Sequence, residues 1–170
     1  MERTSNKIKL MKRLVRESLG EEPYVDYEEP DIDKNGNIYW CNEDGELHRE
    51  DGPAIEFVNG TEKWFLNNKL HREDGPAEIW ANGDKAWYIN NKLHREDGPA
   101  VEFIDGTKHW YINGGFHRED GPAVERPDGY RAWYINDKLH REDGPAEIWS
   151  DGYKAWYLNG VRQPDYFGKK

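Results

Sequence analysis

Leu47-His48-Arg49-Glu50-Asp51-Gly52-Pro53-Ala54 is the stretch that decides how this chain is read. The same octapeptide returns unchanged at 70–77, 93–100 and 139–146, and with Phe116 in place of the leucine at 116–123. Its histidines, at 48, 71, 94, 117 and 140, stand at a constant step of 23 residues. A fixed step of that size marks a repeat architecture, in which each unit buries its apolar face against its neighbours.

Outward from the octapeptide, each unit carries two turn signals. Asn59-Gly60, Asn82-Gly83, Asp105-Gly106, Asp128-Gly129 and Asp151-Gly152 form the first, and such pairs predict two-residue type I′ hairpin turns. A strand such as Lys85-Ala86-Trp87-Tyr88-Ile89 follows, rich in the aromatic and β-branched residues that suit a pleated surface. Asn90-Asn91-Lys92, Asn113-Gly114-Gly115 or Asn136-Asp137-Lys138 then returns the chain to the octapeptide. The predicted fold is mainly β, an elongated antiparallel meander of 23-residue hairpins in a single twisted sheet or ribbon, with one N-terminal amphipathic helix.

Strand alternation places Trp64, Trp87, Trp110, Trp133 and Trp156 on one face with Leu66, Ile89, Ile112, Ile135 and Leu158, and Phe65, Tyr88, Tyr111, Tyr134 and Tyr157 on the other. The residues after the alanine fall into two types. Ala54-Ile55-Glu56-Phe57 and Ala100-Val101-Glu102-Phe103 make one, and Ala77-Glu78-Ile79-Trp80 and Ala146-Glu147-Ile148-Trp149 the other. The fourth copy departs most, with Gly114-Gly115 and then Arg126-Pro127, where the proline predicts a bend or an edge.

The flanks differ from the array. Residues 1–20 carry six basic residues against two acidic, so that +4 of charge stands against −14 in the remainder. Ile8, Met11, Val15 and Leu19 follow at steps of three and four, with Leu14 beside them, Ser5 or Asn6 as N-cap and Gly20 as the stop. This basic helix serves either as a cap on the open end of the array or as a docking element presenting Ile8, Met11, Leu14, Val15, Lys12 and Arg13. Residues 21–35 read as an acidic linker, 36–160 as the repeat array and 161–170 as a tail. Asp31 to Gly36 resembles the opening of a calcium loop, but Asn42 stands where the bidentate glutamate belongs, and a hairpin turn at Asn35-Gly36 is the expectation. The unit that follows is one residue longer from Trp40 to Leu47 than later copies, as an atypical end repeat would be.

Composition bounds the function. The chain has 170 residues, 35% of them hydrophobic, and 23 aromatics that include eight tryptophans. Aromatics this regular offset the entropy of ordering and argue against disorder. A net charge of −10 argues against binding a nucleic acid polymer. A single cysteine, Cys41, excludes an intramolecular disulfide and points to a reducing cytoplasm. No apolar run approaches the roughly 20 residues of a membrane span.

The Trp-Tyr-x-Asn-x-Lys-x-His run from Trp87 to His94, the glycine at 98 and the Asp-Gly turn before Trp110 resemble the MORN repeat, over about residues 36–160. This chain has Tyr-x-Asn and His-Arg-Glu-Asp-Gly-Pro where that repeat has Tyr-x-Gly and His-Gly-x-Gly. The resemblance implies a scaffold or binding ribbon for proteins or lipids. Tandem His-Arg-Glu-Asp-Gly-Pro-Ala units also resemble uncharacterised repeat proteins of bacteriophages and large DNA viruses, which implies action in the cytoplasm of an infected host.

Histidine, arginine, glutamate and aspartate are the ingredients of acid–base catalysis, yet a catalytic constellation is needed once, in an asymmetric pocket, whereas a structural corner is needed in every unit. His48, Asp51, His71, Asp74, His94, Asp97, His117, Asp120, His140 and Asp143 are accordingly assigned to the repeat corner, the aspartates as caps of backbone amides and the histidines and arginines as bridges to neighbouring strands. In-register histidines about 10 Å apart cannot share a zinc ion, so no metal, cofactor or catalytic residue is assigned. Tyr88, Tyr111, Tyr134, Tyr157 and Arg126 are the candidate partner contacts within the array, with Asn67, Asn90, Asn113, Asn136 and Asn159 as donors along one edge. The expected function is non-enzymatic: a ribbon whose face binds a protein partner. The second reading is a viral protein that inhibits a host defence protein or sequesters a small nucleotide signal. Homo-oligomerisation through open sheet edges is a further expectation.

Overall fold

The computed structural model describes residues 29–164, all of its regular structure being antiparallel β. The stretch read as a basic helix, with Ile8, Met11, Lys12, Arg13, Leu14 and Val15, lies outside the described residues. Among the described residues the meander has two parts. A sheet of twelve two-residue strands runs in the order Asp31–Ile32, Ile38–Tyr39, Ile55–Glu56, Glu62–Lys63, Glu78–Ile79, Lys85–Ala86, Val101–Glu102, Lys108–His109, Val124–Glu125, Arg131–Ala132, Glu147–Ile148 and Lys154–Ala155. Five separate hairpins flank it: Phe65–Leu66 with Lys69–Leu70, Tyr88–Ile89 with Lys92–Leu93, Tyr111–Ile112 with Gly115–Phe116, Tyr134–Ile135 with Lys138–Leu139, and Tyr157–Leu158 with Val161–Arg162.

The five-residue strand expected over 85–89 is therefore interrupted, and the tryptophan is the hinge. Trp87 donates its backbone N–H to the Ala100 carbonyl at 2.8 Å, on the large-sheet side, and its own carbonyl accepts the His94 N–H at 3.0 Å, on the hairpin side. Trp64, Trp110 and Trp133 divide their backbone groups in the same way. Each unit thus contributes two strands to the sheet and one hairpin beside it, and face alternation does not carry across the tryptophan.

The turns correct a second expectation. In the Asn/Asp-Gly turns the glycine is the residue with positive φ, for example Gly60 at 87° and Gly106 at 89°. The Phe57 carbonyl accepts the Gly60 N–H at 2.8 Å and the Phe57 N–H reaches the Thr61 carbonyl at 2.9 Å. This is a type I turn closed by a left-handed glycine, a three-residue hairpin loop. The preceding Asn or Asp caps it: Asp105 Oδ1 accepts the Thr107 N–H at 2.7 Å and Asp128 Oδ1 the Tyr130 N–H at 2.9 Å. Positive φ at both central residues occurs instead in the flanking hairpins, at Asn67 and Asn68 (49° and 59°), Asn90 and Asn91 (51° and 64°) and Asn136 and Asp137 (49° and 64°). Pro127 occupies the second position of a tip turn, closed by Gly129 N–H to the Arg126 carbonyl at 3.1 Å. Its fixed φ fits there, so the proline produces neither a bend nor an edge.

The ends of the array also move. Asp31–Ile32 is a sheet strand inside the stretch read as a linker, and Val161–Arg162 is a hairpin strand inside the stretch read as a tail. The turn between Asp31–Ile32 and Ile38–Tyr39 is the expected hairpin. Asp33 closes it by accepting the Asn35 and Asn37 N–H groups at 2.8 and 3.0 Å and the Asn37 side chain at 2.8 Å. The longer first unit closes on Asn42, whose Oδ1 accepts the Asp44 and Glu46 N–H groups.

Register gives the sheet two unlike faces. One row runs Tyr39, Ile55, Lys63, Glu78, Ala86, Val101, His109, Val124, Ala132, Glu147, Ala155, and of the two rows it is the one with buried members: Ile55, Glu78, Ala86, Val101, Val124, Ala132 and Ala155. Val124, Ala132 and the buried Tyr130 form a core on which Phe116, Tyr134 and Leu139 pack. The core is thin, built from alanines, from Ile55, Val101 and Val124, and from the buried Tyr130.

Candidate functional site

The corner built by the octapeptide is an arginine-centred lattice. The guanidinium of Arg49, Arg72, Arg95, Arg118 or Arg141 lies 4.1–4.3 Å from the ring centroid of the tryptophan of its own unit. Its Nε donates to the aspartate two residues on, at 2.7–2.8 Å, and its Nη1 to the proline carbonyl four residues on, at 3.2–3.4 Å. Gly98 leaves room for this, since a Cβ there would come within 2.9 Å of Arg95 Cζ. The flat, delocalised cation suits a site that asks for stacking and in-plane donation together.

The aspartates expected to cap backbone amides are thus engaged with arginine, which holds the carboxyls of Asp74, Asp97, Asp120 and Asp143 below the usual carboxylate range. Asp51 makes the same contact. The histidines bridge units: Nδ1 of His48, His71, His94, His117 and His140 accepts the N–H of Asn67, Asn90, Asn113, Asn136 and Asn159 at 3.1–3.3 Å. The edge asparagines are held in the same step. Their neighbours tie the hairpin further, Asn68 Oδ1 taking the Leu47 N–H at 2.8 Å and Asn91 Oδ1 the Leu70 N–H at 2.7 Å.

Tyr88, Tyr111, Tyr134 and Tyr157 are half-buried. Phe116 stacks between Tyr111 and Tyr134, with centroids at 4.2 and 5.0 Å, and burial pushes the Tyr111 phenol up to about 12. Burial likewise raises Tyr88 and Tyr134, aided by the Glu78 and Glu147 charges respectively. His109, the histidine outside the series, meets the ring edges of Phe103 and Phe116 at 5.4 and 5.6 Å, and burial lowers its pKa, with Arg126 adding to the effect. Arg126 is exposed at a turn tip, its guanidinium 4.7 Å from the Tyr130 ring.

The sheet's other row was not singled out by motif. Its members run Ile32, Ile38, Glu56, Glu62, Ile79, Lys85, Glu102, Lys108, Glu125, Arg131, Ile148, Lys154. From Lys85 to Arg131 every directly opposed pair joins a base to an acid. Lys85, Lys108 and Lys154 are exposed. The signal was present as Glu-x₅-Lys in Glu102 to Lys108, and needed the strand register to be seen. A shallow open depression of about 320 Å³ lies between neighbouring turn tips, with Trp80 and Phe103 as walls and Asn59, Thr61, Asn82 and Asp84 around them.

Among the described residues no group of His, Cys, Asp and Glu is arranged to hold a metal ion, and no helix is long and apolar enough to cross a membrane. Compared with protein-family models and with curated proteins, the chain finds no match to either.

Proposed function

We propose that the chain is a non-enzymatic binding ribbon, MORN-like in its unit, that holds a protein partner on the charged face of its long sheet. The observation that carries this reading is the run of opposed charges from Lys85 to Arg131 on a row whose lysines are exposed. Surface charges add little to stability, so a continuous ladder of them serves chiefly to orient and select what docks. The reactive side chains of the octapeptide support the same reading, because each copy spends them on the same internal contacts. The test is affinity capture from the native cell with the full chain and with a Lys85→Gln, Lys108→Gln variant, which removes the cations without setting like charges opposite each other. The variant should melt like the parent and lose the captured protein; undiminished capture would reject this face.

The depression between Trp80 and Phe103 favours a second reading, a sequestering protein, in a virus-infected host, that stacks a small nucleotide between aromatic walls. A bound ligand raises stability by RT ln(1 + [L]/Kd). Thermal melting with added mono-, di- and cyclic nucleotides therefore reads it directly, and unchanged melting at millimolar nucleotide would reject it.

A further inference from the structure

We propose that the array continues from one copy of the chain to the next, head to tail, with Asp31–Ile32 of a second copy adding as a thirteenth strand beside Lys154–Ala155. This goes beyond the reading of the charged face and does not depend on it. Neighbours in the twelve-stranded sheet are antiparallel throughout. With an even number of strands, the first and the last run in opposite directions. A second copy related by translation therefore offers its first strand to the last one in the direction the ladder requires.

The register fits as well. Counting back from the turn glycine, Asp31–Ile32 stands before Gly36 as Glu78–Ile79 stands before Gly83 and Glu147–Ile148 before Gly152. The opening strand thus carries the acid-then-isoleucine pair that two internal units present to the unit before them. Inside the array Glu78 opposes Lys63, and Glu147 Oε1 accepts the Tyr130 hydroxyl at 2.9 Å. Tyr153 occupies the position of Tyr130 one unit later, and Asp31 of the second copy arrives at the position of Glu147. The Tyr153 oxygen accepts Arg162 Nη2 at 2.6 Å, which leaves its proton to donate to that carboxylate. On the other row Ile32 comes opposite Lys154, as Ile148 comes opposite Arg131.

Both ends carry apolar surface that internal units cover. Ile32 is 65% exposed at one end, and Trp149 and Tyr153 are 44 and 48% exposed at the other. Their internal counterparts Ile79 and Trp80 are half-buried. A contact between unlike ends does not close on itself, so assembly proceeds to open chains; pairing of like ends would stop at two copies.

The test is sedimentation velocity and light scattering of the full chain from low to high micromolar concentration. Mass rising past two copies with concentration is the expected result. A single copy at every concentration, or growth that stops at two, overturns the proposal. Ile32→Lys, which sets a cation against Lys154 of the neighbouring copy, is expected to abolish growth while leaving tryptophan fluorescence unchanged. Ile32→Val is expected to preserve it. Combining Ile32→Lys with Lys154→Glu restores growth if these two residues meet. Growth in Ile32→Lys equal to the parent's, or failure of the double variant to recover, overturns the assigned register.

Discussion

The units with Ile55–Glu56, Val101–Glu102 and Val124–Glu125 and those with Glu78–Ile79 and Glu147–Ile148 share one backbone and exchange an acid for an apolar residue across the sheet. In the first group the glutamate lies on the arginine side, and Arg49, Arg95 and Arg118 donate Nη1 to it at 2.9–3.1 Å. In the second group the arginine has isoleucine at that position and keeps its tryptophan, aspartate and carbonyl partners. The acid meanwhile sits on the core row, and each time the preceding strand, or the residue just before it, supplies a donor. Lys63 Nζ reaches Glu78 at 2.5 Å, and Tyr130 reaches Glu147 through its hydroxyl. Polar groups move across such a thin sheet only with a partner already waiting, because an unpaired buried acid is expensive.

The largest effect should come from removing that waiting donor. Lys63→Met leaves Glu78, 5% exposed, without its cation, and urea unfolding should show a loss of about 3–5 kcal/mol. Next come the arginines. Arg95→Ala removes a stacked cation, strands the Pro99 carbonyl and deletes the ion pair with Glu102, and should cost about 2 kcal/mol, whereas Arg72→Ala, with Ile79 opposite, should cost measurably less by the same titration. Equal losses would show that the glutamate on the arginine side contributes nothing. Tyr130→Phe deletes one hydrogen bond to Glu147 and should cost about 1 kcal/mol.

The smallest effects are those of pH. His109 has a pKa below its ordinary 6.5 in the folded chain, so the unfolded chain takes up a proton there that the native one resists. Stability should be highest above that value and decline as pH falls through it, and His109→Ala should flatten that part of a melting profile. The aspartates act in the same sense, in a lower pH window. Asp74, Asp97, Asp120 and Asp143 are depressed below 3.8 by their arginines. Their contribution is fully present above that value and is lost as pH falls through the folded values.

The meander, its step of 23 residues and its turn positions were legible because the Asx-Gly pairs and the octapeptide punctuate every unit. The division into a sheet and flanking hairpins was not. Trp87-Tyr88-Ile89 continues the strand pattern without a break, and the interruption lies in where the Trp87 N–H and carbonyl find partners, which periodicity does not encode. Asn-Gly suits a type I′ turn and a glycine-closed type I turn alike; the number of residues between the ladder partners Phe57 and Thr61 decides. The arginine's seat on tryptophan had a visible signal, the spacing of eight residues from Trp64 to Arg72 and from Trp87 to Arg95, but its meaning needed the corner to be folded. The exchange of Glu and Ile between unit types could be read directly. Its compensation could not, since Lys63 and Tyr130 lie 15 and 17 residues from the acids they serve.

The direct test is a double-mutant cycle on the full chain, measuring urea unfolding of the parent, Lys63→Met, Glu78→Val and both together. If the exchange of faces is held by its waiting donor, each single change destabilises and the double variant, with an apolar pair in place of the ion pair, recovers most of the loss. Additive losses, with the double variant the least stable of the four, would contradict it.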